Sequence, residues 1–204
     1  MTTKKLPAAP RTVTMSETGL VFDAQPDLKL NNNRLFLMLW FVVEGMLFGS
    51  LIFSNFSVRS AQGDWPPPGV DRMDMRLPLL FTAALLISSF TAIQVINALK
   101  RDDRGALVRF LGATVVLGLA FVFGMVNLIS HLQFTGVYSA MFVAMWGMHV
   151  AHAVAVLLFL GYVLWRASQG RYTSNSYWSL EAATNLWHFL DIVWIVLFVV
   201  LYLV

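Results

Sequence analysis

Cysteine is absent from this 204-residue chain, which removes disulfides, thiolate metal sites and cysteine nucleophiles and leaves the redox compartment open. Charge is scarce, with Asp, Glu, Lys and Arg making up 12% of the residues. Histidine occurs only 4 times, too few for a haem plus a second metal centre. No internal repeat or low-complexity tract stands out, and the apolar runs do not pair into the inverted halves used by many secondary carriers. Residues Met1 to Leu20 contain no apolar core of the length a cleaved signal peptide needs, so none is expected.

What the chain has instead is apolar mass: 58% hydrophobic residues and a mean hydropathy of +0.68. A water-soluble domain could not hide that much apolar surface. A membrane span needs roughly 20 mostly apolar residues to cross a hydrocarbon core about 30 Å thick. Runs of that length occur at 34–58, 77–99, 106–130, 138–165 and 180–204. The expected fold is therefore all-α, an integral membrane bundle of five transmembrane helices over 34–204. It is preceded by a polar arm, 1–33, mixed in charge and broken by Pro7, Pro10 and Pro26. The segment RSAQGDWPPPGVDRMDMR after the first span cannot face lipid, because its prolines and charges leave backbone groups unpaired there. KRDDRG (Lys100 to Gly105) reads as a short charged turn that forces an antiparallel return.

The net charge of +3 does not point to nucleic acid, because the basic residues sit beside apolar runs, where they set topology. With alternate loops on opposite sides, Lys4, Lys5, Arg11, Lys29, Arg34, Lys100, Arg101, Arg104, Arg109, Arg166 and Arg171 collect on one side. The other side has only Arg59, Arg72 and Arg76. The expected topology has the N-terminus inside and the C-terminus outside. Trp65, Tyr162, Trp165, Tyr172, Tyr177 and Trp178 read as interfacial anchors, and the small residues of the fourth span as a close-packing surface.

An ionisable side chain at the centre of a membrane helix costs about 2.5 to 3.5 kcal/mol, so each one needs a partner or a purpose. Those within or near the spans are Glu44, His149, His152, Glu181, His188 and Asp191. Glu44 and Asp191 each lie about 15 Å into their spans, near the midplane. His188 and Asp191, three apart, share a helical face and could bond to each other and to a neighbouring helix. A haem would need His149 or His152 paired with His188, whereas a lone imidazole in a bundle more commonly bonds between helices. A proton-coupled carrier would use Glu44, Asp191 and the histidines as a relay.

The fifth span and its approach, YWSLEAATNLWHFLDIVWIVLFVVLYL, resemble the C-terminal helix of the cytochrome oxidase subunit III family. Glu181, Trp187, His188, Phe189, Asp191, Val193 and Trp194 fall at matching positions. VVEGMLFGSLIF resembles the family's first-span stretch and places Glu44 on a glutamate that in many members is buried and carbodiimide-reactive. DWPPPG, the serine pair of LLISSF and FVAMWGMHV are similar to further family segments. The resemblance covers about Leu35 to Val204 and corresponds to the short five-helix bacterial form. Trp146 stands where the family's fourth-span motif has its first histidine, His149 matches the second, and His152 is additional. Met125 and Leu128 replace a Gln and a Glu common late in the third span.

The resemblance implies an accessory subunit of a haem-copper terminal oxidase in a bacterial cytoplasmic membrane, with no catalytic residue and no metal ligand of its own. Haem, copper and the oxygen chemistry would belong to subunit I, and subunit II would be a further partner. Glu44, His149, Glu181, His188 and Asp191 would be its buried polar, proton-related set. Arg34, Arg59, Arg76 and Trp187 would contact bound phospholipid. The chain would pack on subunit I, hold membrane lipids, sustain proton uptake, and could join a larger respiratory supercomplex. A subunit-III-like component of a nitric oxide reductase assembly is the alternative within the same resemblance, and the choice of cytochrome c or quinol as donor lies in other chains.

Overall fold

The computed structural model describes residues 14–16, 19–21, 32–62, 64–67, 74–130, 136–172 and 177–203. By compactness the chain divides into Met1–Met38 and Leu39–Val204. In the first unit, β1 (Thr14–Ser16) pairs antiparallel with β2 (Gly19–Val21), Met15 facing Leu20 in register. The remainder of the arm expected over 1–33 lies outside the described residues, apart from the first turn of α1.

Five helices follow: α1 (Asn32–Gln62), α2 (Arg76–Lys100), α3 (Arg104–Ser130), α4 (Gly136–Ser168) and α5 (Trp178–Phe198). The last continues into a π-helical turn, Val199–Leu203. All are long and apolar enough to cross a membrane. Counting the π-helical turn with α5, the shortest span is α2, whose 25 residues are about 37 Å long at 1.5 Å per residue, more than the hydrocarbon core requires. The five expected spans and the all-helical class are borne out. The helices outrun the apolar runs by a few residues at most ends: α1 continues through Arg59–Gln62 and α4 through Arg166–Ser168, polar positions a helix can solvate beyond the bilayer.

Within Leu39–Val204, α2, α3, α4 and α5 form a closed ring in which each packs against the next and α5 returns to α2. On α2 the inward positions Thr82, Leu85, Ser88, Ala92, Val95 and Leu99 recur every three or four residues, the period that keeps one helical face in contact. Phe121, Trp187, Trp194, His149 and Leu160 fill the ring interior. Glycines on α3 set the closest approaches. A Cβ at Gly118 would sit 2.6 Å from Leu157 Cδ2 and 2.7 Å from Trp187 Cη2, and one at Gly124 would collide with the Phe81 ring. Without a hydrophobic force between helices in lipid, such small residues give the packing its contact area.

The turn KRDDRG works through its two aspartates. Asp102 takes a positive φ of 54°, and its N–H and that of Asp103 donate to Leu99 O and Ala98 O, closing the end of α2. Asp103 Oδ1 then accepts from Ala106 N at 2.9 Å and caps α3. From Leu39 onward, α1 lies outside the ring and meets α4 and α5 through Phe41, Glu44 and Phe48. Phe41 stacks on Phe189 at 5.1 Å, and Phe48 is buried with Met145, Val193 and Leu197.

Candidate functional site

The polar residues of the fifth helix meet a hydroxyl ladder on α2. Trp187 Nε1–H donates to Ser88 Oγ at 3.0 Å, and Trp194 Nε1–H donates to Thr82 Oγ1 at 2.9 Å. Between them Ser89 Oγ lies 2.8 Å from His188 Nδ1. Spacings of six and seven on both helices, from His188 and Trp187 to Trp194 on α5 and from Thr82 to Ser88 and Ser89 on α2, keep these groups facing one another over two turns. Inside lipid an unpaired indole N–H or imidazole is costly, so each bond both satisfies its donor and fixes the register of the two helices.

Asp191 sits one turn on from His188, its Oδ2 3.7 Å from Nδ1, too far for a hydrogen bond but within ion-pair reach. Both carboxyl oxygens of Asp191 are buried without a hydrogen-bond partner among the described residues. Because Ser89 and Asp191 converge on the same ring nitrogen, this Ser, His and Asp do not form a nucleophile–base–orienter chain, in which the histidine must use its two nitrogens separately. The expected bonding of His188 to a neighbouring helix is present, and its partner is Ser89. The sequence displayed the serine pair but offered no sign of what faced it.

A second cluster joins α1 to α4. Glu44, 6% exposed, places Oε2 3.1 Å from His152 Nε2, although the ring N–H direction is not aligned on the oxygen. The other ring nitrogen fixes the tautomer of the neutral ring. His152 Nδ1–H donates to Met148 O at 2.7 Å, since a carbonyl only accepts. Nε2 therefore carries a proton only when the ring is cationic. A carboxylate beside a bare Nε2 would set two acceptors 3.1 Å apart. In sequence His152 was merely additional; in the fold it is the side chain that meets Glu44.

The pair opens on an apolar cleft of about 170 Å³ between α1, α4 and α5, walled by Trp40, Val156, Phe159, Phe189 and Leu190. His149, 1% exposed, lies behind it in an aromatic box, tilted on Trp194 at 5.1 Å and edge-on to Phe121 and Phe48. Its Nδ1 and the Trp146 Nε1 are buried with no partner among the described residues. His149 and His188 are each engaged within different contacts, the first with Trp194 and the second with Ser89.

The remaining expected residues are scattered. Glu181 is half-buried in the first turn of α5, where a negative charge favours the helix dipole. Trp187 is 1% exposed and spends its indole on Ser88 and Gly118, inside the ring and away from any surface a lipid covers. Arg59 is half-buried near the end of α1, Arg76 is exposed at the start of α2, and Arg34 is exposed in the first unit.

A family model described as cytochrome c oxidase subunit III matches residues 27–204. Among similar proteins, cytochrome c oxidase subunit 3 of Synechocystis sp. is 34% identical over 182 residues, covering 87% of this chain and 76% of that protein. The subunit 3 of Thermostichus vulcanus is 30% identical, covering 94% of this chain and 96% of its own length. That of Sus scrofa is 31% identical, covering 81% and 67%.

Proposed function

Because the chain belongs to the cytochrome c oxidase subunit III family, we propose that it is the accessory, metal-free third subunit of a haem-copper terminal oxidase in a bacterial inner membrane. It is a multi-pass membrane protein, and membership of the family puts it in a complex with other oxidase subunits. Our reading goes further on four points. The chain packs on subunit I, whose haem and copper do the oxygen chemistry. Its N-terminus is inside and its C-terminus outside. It holds phospholipid, and it supports proton uptake and the stability of the complex during turnover.

The observation that carries the reading is the family match over residues 27–204. The lipid role is supported by the cleft beside Glu44, whose walls are aromatic and branched aliphatic side chains suited to an acyl chain. Arg34, Arg59 and Arg76 are the phosphate partners we assign. Glu44, His149, Glu181, His188 and Asp191 are the buried, proton-related polar set, with His152 beside Glu44 next to the lipid.

The test is purification of the tagged chain from its native membrane in mild detergent, with an absorption spectrum and identification of the copurifying proteins. Haem arriving with a large, histidine-rich, many-span partner is the expected result. A colourless chain that purifies alone, in a membrane that contains the oxidase, would overturn the accessory role. Glu44→Gln is expected to reduce lipid retention or sustained turnover of the complex, and if it changes neither, the role given to Glu44 is lost.

A further inference from the structure

At the end of the ring where α2 and α4 finish and α3 and α5 begin, six cationic side chains gather: Lys100, Arg101, Arg104, Arg109, Arg166 and Arg171. Two of them, both exposed, border one open groove. Arg104 and Arg109, from the first two turns of α3, line a space of about 480 Å³ whose opposite wall is the end of α4, Ala167 to Gly170. Arg109 Nε–H donates to Gly105 O at 3.2 Å, and no carboxylate lies within ion-pair distance of either guanidinium among the described residues. Among the described residues three carboxylates stand at this end, none of them lining this space: Asp102, Asp103 and, in the first turn of α5, Glu181. Asp103 caps α3, and Asp102 and Asp103 line a second cavity that Arg104 also borders.

The end of α4 is shaped to this arrangement. Gly170 has a positive φ of 69°, and its N–H donates to Ala167 O at 2.9 Å. A Cβ there would stand 2.7 Å from Arg104 Nη1, so a side chain would displace the guanidinium as well as strain the backbone. The level in the membrane is marked by aromatic residues. Tyr162 and Trp165, 48% and 55% exposed, precede the cavity on α4, and Arg166 lies against the rings of Tyr162 and Tyr172 at 5.9 and 5.4 Å. Exposed Tyr and Trp at the end of an apolar helix sit at headgroup depth.

A guanidinium offers a planar fork that fits two oxygens of a phosphate, and basic recesses between helix ends suit acidic headgroups. If the two arginines served topology alone, no cavity and no glycine-shaped wall would be needed. We infer that Arg104 and Arg109 form a phosphate-binding site at the junction of α3 and α4, separate from the apolar cleft beside Glu44. The ligand is the phosphate of an acidic phospholipid headgroup or a free phosphate anion.

The test places the full chain in nanodiscs of phosphatidylglycerol or of phosphatidylcholine and counts retained lipid by native mass spectrometry, with and without inorganic phosphate. The wild-type chain is expected to retain phosphatidylglycerol over phosphatidylcholine. Removing one cationic side chain near a headgroup weakens binding about fivefold, so Arg104→Gln/Arg109→Gln should retain about 30-fold less, while Arg101→Gln, outside the cavity, should change little. Retention that is insensitive to inorganic phosphate assigns the site to lipid. Retention lost to inorganic phosphate in the wild type, but unaffected by it in the double variant, assigns it to the free anion. If the double variant does not assemble, Arg109→Gln alone reports, with a loss of about fivefold expected. Equal lipid retention in wild type and Arg109→Gln, with no effect of phosphate on either, would overturn the site.

Discussion

Ser89 Oγ and His188 Nδ1 lie 2.8 Å apart although 99 positions separate them in sequence. With Ser88 on Trp187 and Thr82 on Trp194, this contact turns an eight-residue motif into a register lock between the second and fifth helices. Each of these bonds is one a lipid environment cannot replace, and the contributions expected from them are correspondingly measurable.

The Trp187–Ser88 bond is expected to contribute modestly. A double-mutant cycle of Trp187→Phe and Ser88→Ala, read by unfolding of the reconstituted chain, should give a coupling of about 0.6 kcal/mol and no more than about 1.7 kcal/mol. A coupling indistinguishable from zero would mean that the indole finds another acceptor when the hydroxyl is removed.

The Glu44–His152 pair is expected to show a sign reversal. His152→Phe alone leaves a buried carboxyl without its partner and should cost about 1 to 3 kcal/mol of stability. Glu44→Leu together with His152→Phe removes both polar groups and should be more stable than His152→Phe alone. Thermal unfolding of the three proteins under one lipid condition checks the order. A double variant weaker than the single would show that the pair is more than a satisfied contact.

Gly118 and Gly112 lie on the same helix and should respond oppositely to a methyl group. Gly118→Ala meets Leu157 and Trp187 and should destabilise by about 1 to 3 kcal/mol. Gly112→Ala meets nothing within 4 Å and should be neutral, or stabilising by up to about 1 kcal/mol through helix propensity. Equal effects at the two sites would contradict the close approach of α3 to α4 and α5.

His149→Phe should keep the aromatic box with Trp194 and Phe121 and remove a ring nitrogen that has no partner among the described residues. Stability is expected to stay within about 1 kcal/mol of wild type. Measured beside oxidase turnover, this substitution separates a proton-related role from packing, because a loss of turnover at unchanged stability cannot come from the fold.

The membrane class, the five spans and the family were legible in the residues, since apolar run length is a local property and WHFLDIVW is more specific than any general need of a membrane helix. Helix ends were less legible. Arg59–Gln62 and Arg166–Ser168 read as loop because they are polar, yet a helix continues past the hydrocarbon wherever water can solvate its side chains.

The sequence by itself determined which groups must find partners: with charge confined to 12% of residues, Glu44, Asp191 and the histidines stood out against apolar surroundings. Only the tertiary structure decided which partners they found. His152 looked additional because its value depends on α1 lying against α4, and Trp187 looked available to lipid because nothing local says that it faces Gly118. Periodicity tells which residues share a face of one helix. Which face of another helix lies opposite is set by packing between segments far apart in the chain, and a single sequence carries no local trace of that.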